Sequence, residues 1–167
     1  MSEPRAVAFT VNGTPRPQPR PRFVKGRVVS TASRGAKLWR QAVELAARHA
    51  RAKPFTGAVE IRMAFRFAVP KTRPEYLGQP HTAKPDGDNL AKAVMDVLEA
   101  VGLLENDCRV SRLTVEKRWA ETAGVGVEVI DCAWNAVERG QERVDSVDGC
   151  RSPPEWLCAS EGRLRAK

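Results

Sequence analysis

Asp86 and Asp88 stand two positions apart in the stretch "KPDGDNLAKAVMDVL", and Lys92 follows four residues after the second. An aspartate at a helix start accepts hydrogen bonds from first-turn amides and suits the positive end of the helix. Capping explains one aspartate of the pair. The second faces it across Gly87, where like charges repel. Converging carboxylates are what a hard, oxygen-seeking divalent ion requires. Lys92, one turn beyond Asp88 on the same face, brings an ammonium toward the same point. A further acid, Asp107, follows in "LLENDCRV". A helix of about fourteen residues is ~20 Å long. Asp107 therefore returns to Asp86 only if the next strand runs back alongside the helix or a second subunit supplies it. Glu105, in the same segment, reads as a solvent-facing residue.

Such a site has a chemical rationale on nucleic acid. Carboxylate-bound Mg²⁺ activates water and stabilises the charge that develops on a phosphodiester under attack. A nearby lysine adds fixed positive charge in the transition state. The charge distribution agrees with that substrate class. Net charge is +8, yet residues 1–53 hold twelve Lys/Arg against only Glu3 and Glu44. Basic residues concentrated in one third of the chain point to a polyanionic partner, nucleic acid before membrane.

Other classes fit poorly. The four cysteines, Cys108, Cys132, Cys150 and Cys158, form no CxxC and meet no paired histidines, so structural zinc and a disulfide framework are not expected. No apolar run approaches the ~20 residues of a membrane span. The opening "MSEPRAVAFT" is too polar for a secretory signal. A soluble, cytoplasmic protein without membrane association is expected.

The surrounding pattern predicts the elements that carry these residues. Val7, Phe9 and Val11 alternate as a first strand. "GTPRPQPRPRF" then carries four prolines, which favour an extended path that projects Arg16, Arg20 and Arg22. "FVKGRVVS" reads as a hairpin about Lys25-Gly26. Thr31 or Ser33 offers an N-cap for a helix to about Arg51, with Leu38, Ala42, Leu45 and Ala46 as its apolar stripe. Val59, Ile61, Met63, Phe65, Phe67 and Val69 alternate with more polar residues as the clearest strand. A proline-rich loop leads to the helix begun at Asp86–Asp88, where Leu90, Val94, Val97, Leu98 and Val101 recur at helical spacing and Gly102 suits its end. "RVSRLTVEKRW" and "GVGVEVI" read as closing strands joined by a turn at Thr122–Gly124. The sum is a single compact α/β (α+β) domain over residues 1–131, a mixed β-sheet with two main helices. Residues 132–167 read as a poorly ordered C-terminal extension.

"KPDGDNLAKAVMDVL" followed by "GLLENDCRV" resembles the core of the RusA family of Holliday-junction resolvases of bacteria and their phages. "GTPRPQPRPRF" and His81 ahead of "KPDGDN" strengthen the likeness, which spans roughly residues 6–130. The resemblance implies a homodimer that resolves four-way and related branched DNA by paired symmetric nicks with Mg²⁺ (Mn²⁺ as a substitute), in recombination and repair. It makes Asp86, Asp88 and Asp107 the metal-binding catalytic carboxylates and Lys92 the catalytic lysine. Asp96 takes a supporting salt bridge or helix-packing role. The family's dimer would also relieve the helix-length difficulty. Arg16, Arg20, Arg22 and Lys84, with His81 beside them, are the expected DNA contacts, acting through phosphates without base specificity. Many relatives carry adjacent acids where this chain has Asn106-Asp107-Cys108, which leaves Asp107 alone.

Three other readings compete. A catalytically silent branched-DNA-binding protein would keep the fold and the basic face. A nucleotide-sugar metal site suits D-x-D but not the basic N-terminus or the lysine. The PD-(D/E)-x-K nucleases carry their second acid and lysine one residue apart on a strand, whereas Asp88 and Lys92 are four apart on a helix.

Overall fold

The computed structural model describes residues 5–19, 22–24, 26–29, 33–50 and 52–132. Arg20 and all but the first residue of the expected C-terminal extension lie outside the described residues. In chain order the elements are β1 (Ala6–Asn12), β2 (Arg22–Val24), β3 (Arg27–Val29), α1 (Arg34–His49), β4 (Val59–Ala68), α2 (Gly87–Ala100), β5 (Val110–Ala120) and β6 (Gly124–Asp131). Four strands form one sheet in the order β1-β6-β4-β5, and β2-β3 is a separate hairpin with Gly26 at φ 76° in its turn. This is an α+β domain with a mixed sheet and two helices. No described helix is long and apolar enough to cross a membrane.

The core is built on β4. Val59, Ile61, Met63, Phe65 and Phe67 are all at most 7% exposed, and complete burial of such side chains contributes roughly 1.5–3 kcal/mol each. The alternate face carries polar residues. There Arg62 pairs with Glu60 at 2.7 Å and with Glu128 at 3.4 Å. From α2, Leu90, Ala91, Val94, Val97 and Leu98 enter the same core.

The helix ends follow local chemistry. Ser33 Oγ caps α1 by accepting from Ala36 N–H. At the C-terminal end of α2, Gly102 takes φ 74°, Gly102 N–H donates to Glu99 C=O, and Leu103 N–H donates to Leu98 C=O. That pair of bonds is a Schellman stop, which requires a left-handed residue and so favours glycine.

The buried face of α1 differs from the expected stripe. Trp39, Val43 and Ala47 are buried, Ala42 and Ala46 flank them, and Leu38 and Leu45 are 56% and 58% exposed. Spacing of four residues places Trp39, Val43 and Ala47 on one line of the helix. The bulk of Trp39 fixes which line turns inward, and the leucine-based pattern fell one residue away from it.

Connectivity decides where the acids go. β4 and β5 pair in parallel, Ile61 opposite Leu113 and Phe67 opposite Trp119. Parallel neighbours need a crossover, and α2 with its flanking turns supplies it. Hence β5 runs back alongside α2. β5 and β6 are joined by only residues 121–123 but do not pair, because β4 lies between them. Two strand spacings are ~10 Å, within the reach of three extended residues at ~3.5 Å each.

Candidate active site

Asp86 is the N-cap residue of α2. Its backbone is extended at φ −71°, ψ 142°, and its carbonyl accepts from Leu90 N–H at 3.1 Å. Its carboxylate, however, makes no capping hydrogen bond. Asp88 lies exposed in the first helical turn. Neither side chain has a hydrogen-bond or ion-pair partner among the described residues. Capping thus accounts for the side chain of neither aspartate. Two partnerless carboxylates remain at the positive end of a helix, where the dipole stabilises negative charge.

The backbone before Asp86 is tied to β5. Lys117 Nζ donates to the carbonyls of Ala83 and Pro85, each at 2.8 Å. His81 N–H donates to Lys117 C=O at 2.9 Å. The helix start also hugs the strand, since a Cβ on Gly87 would meet Val115 Cγ1 at 3.4 Å. Nothing in the residue pattern singled out Lys117, because its role exists only once β5 lies beside the loop.

His81 does not occupy the surface position expected of a DNA contact. It is 5% exposed, with its ring stacked on Phe67 at 4.0 Å between centroids and tilted against Trp119 at 4.3 Å. Burial pushes its pKa down, and Lys117 nearby pushes the same way. The ring is a neutral packing element that braces the loop.

Lys92 Nζ lies 2.6 Å from Asp107 Oδ2 and 3.0 Å from Asp96 Oδ1. The hydrogen bond to Asp107 and then that to Asp96 raise its pKa, so the ammonium is a standing positive charge rather than a base. The same contact with Lys92 holds the Asp107 carboxyl below its usual value. Asp96 also accepts from Gln18 Nε2 at 2.7 Å, which fastens the proline-rich segment to α2. Asn106 uses Oδ1 to accept from Cys108 N–H at 2.9 Å and caps the short turn that holds Asp107.

Asp107 therefore returns to α2 within one chain, but to its middle. β5 draws level with the helix start only at Val115, opposite Gly87. From Asp88 to Lys92 is ~6 Å of helix axis, and Asp107 meets the lysine rather than the aspartate pair.

The sequence profile of a protein family described as endodeoxyribonuclease RusA matches residues 12–130. The chain belongs to this family. RusA-family activity is endonucleolytic resolution of Holliday junctions, generally dependent on a divalent metal ion. No curated protein matches the chain.

For a RusA-family chain the fit of a metal ion is a question about donors. Among the described residues no group of three His, Cys, Asp or Glu side chains is arranged to hold one. The expected set Asp86, Asp88 and Asp107 is accordingly not assembled, because Asp107 is engaged by Lys92. Asp86 and Asp88 do fit by themselves. They are hard oxygen donors without competing partners among the described residues, and Mg²⁺ commonly takes one or two carboxylates while keeping several waters.

The basic positions expected at DNA divide. Lys84 is exposed two residues before Asp86. Arg16 is exposed, and its guanidinium lies over the first turn of α1, where a Cβ on Gly35 would meet Arg16 Nε at 3.5 Å. Arg22 opens β2.

Proposed function

We propose that this chain is a Mg²⁺-dependent, structure-selective endonuclease that resolves Holliday junctions by paired symmetric nicks, in DNA recombination and repair. The observation that carries the reading is the pair Asp86 and Asp88 at the N-terminus of α2, without partners among the described residues, with the charged Lys92 one turn away. Family membership supplies the substrate class.

In this reading Asp86 and Asp88 hold the ion. When bound, Mg²⁺ supplies Lewis-acid stabilisation of the phosphodiester and a more acidic water. Lys92, half-exposed and fixed by Asp96 and Asp107, presents positive charge to the phosphate as negative charge builds on it. Asp107 acts by positioning Lys92. Lys84 and the basic N-terminal third attract the backbone. A homodimer with two-fold symmetry matches paired nicks, since two identical sites then face two equivalent strands.

The test uses purified protein, a synthetic four-way junction, a linear duplex of the same sequence, and Mg²⁺ or EDTA. Paired nicks confined to the junction and dependent on Mg²⁺ are expected. Equal cutting of the duplex would remove junction selectivity. Tight junction binding without cleavage, with Mn²⁺ also tried, would make the chain a silent branched-DNA binder.

A further inference from the structure

A cleft of about 200 Å³ opens between the segment Arg16–Pro19 and α1, reaching Ala93 of α2. Its α1 wall carries Lys37, Trp39 and Arg40. Together with Arg16 these make three cations, and none has a carboxylate partner among the described residues. The first turn of α1 contains no acidic residue, so the positive end of the helix adds to the same field. Unpaired cations gathered around a concavity repel one another unless an anion joins them.

The second observation is Trp39. It is 6% exposed and lines the cleft, and its Nε1–H is buried without an acceptor among the described residues. One edge of the indole lies against Gly13, where a Cβ would meet Cε3 and Cζ3 at 3.9 Å, and Nε1 is on the opposite edge. That Nε1–H is closed to solvent, so the indole serves the cleft as a packed wall that keeps its shape.

The cleft is also joined to the reaction site. Gln18 N–H donates to Asn89 C=O at 3.1 Å, and Gln18 Nε2 donates to Asp96, the partner of Lys92. Both prolines flanking Gln18 stiffen this tie. From Asp88 to Ala93 is ~8 Å along the helix, about two nucleotide steps of a duplex strand at ~3.4 Å each.

We propose that the cleft formed by Arg16, Lys37, Trp39 and Arg40 is a subsite for a single phosphodiester of the bound strand, one or two nucleotides from the one cut. Its placement relative to the cut rests on the nuclease reading above. The cations supply attraction, and the packed Trp39 wall holds their spacing. Register along the strand is thereby set from the same helix that carries Asp86 and Asp88.

The experiment measures binding of the full chain to synthetic four-way junctions in EDTA, by fluorescence anisotropy. A series of junctions carries one uncharged methylphosphonate linkage at successive positions around the branch point. One position is expected to weaken binding by ~10-fold, as for loss of a charged hydrogen bond. In Lys37→Gln/Arg40→Gln, made at exposed helical positions, binding is weaker overall, and the same linkage costs less than about 2-fold further, because both changes remove one interaction. Lys53→Gln/Lys71→Gln removes equal charge elsewhere and keeps the full linkage penalty. An undiminished penalty in Lys37→Gln/Arg40→Gln overturns the subsite while leaving the nuclease reading intact. Failure of the parent chain to bind any junction overturns both.

Discussion

Asp88 is exposed and has no hydrogen-bond or ion-pair partner among the described residues, so Asp88→Asn removes a charge without breaking a contact seen there. Mg²⁺-dependent junction cleavage should fall at least ~10²-fold. Junction binding should stay level or tighten as repulsion from phosphate diminishes. Cleavage and anisotropy assays on one preparation decide it, and unaltered cleavage would take Asp88 out of the site. His81 permits a prediction about stability. Its folded pKa is lowered by burial and by Lys117, while the unfolded value stays near ~6.5. Above that pH the ring is neutral in both states and contributes no pH dependence. Below it the unfolded chain takes up a proton that the folded chain resists, so stability falls as pH drops toward the folded pKa. The melting temperature should therefore decline as pH is lowered through ~6.5. His81→Phe, which preserves stacking on Phe67 and Trp119, should flatten that decline. An equal slope in both proteins would assign the decline to other groups.

On α1 the exposed leucines and the buried tryptophan make opposite predictions. Trp39→Ala empties a core position and should cost ~3–5 kcal/mol. Leu38→Ser changes a residue that is mostly in water and should stay within ~0.5 kcal/mol. Urea unfolding of the two variants measures both, and the reverse order would mean that Leu38 faces inward. The helical period was legible in the sequence, but the inward face was not. Leu38 and Leu45 are spaced two turns apart and look like an apolar stripe as readily as Trp39, Val43 and Ala47 do. For α2 the reading and the structure agree, because Leu90, Val94, Val97 and Leu98 combine with a glycine stop and leave only one apolar face.

Residues 12–130 carry the family match, and the sheet closes with β6 at Asp131. A chain ending at residue 132 should consequently unfold in one cooperative transition, with a melting temperature close to that of the full chain. Loss of cooperativity would show that residues beyond 132 belong to the folded unit. Charge acts at the same scale. Arginine and lysine are in excess in residues 1–53, whereas the acids that would repel DNA lie at 86, 88 and 107, so attraction and chemistry are assigned to different stretches of the chain.

Sequence alone determined the elements whose causes are local. Alternation over 59–69 specifies a strand, Gly102 specifies a helix end, and D-x-D-N-x-x-K specifies an acid pair with a lysine one turn on. Each depends on residues within about one turn or a few strand positions, so short-range geometry suffices. Tertiary structure decided the rest, because contacts between β5, the loop and α2 join residues far apart in the chain. It placed Asp107 on Lys92 rather than beside Asp86, enclosed His81 between Phe67 and Trp119, and bound the backbone before Asp86 to Lys117. The direction of β5 is the physical reason. Running parallel to β4, it must pass the middle of α2 before it reaches the helix start, and no spacing within either segment records that path.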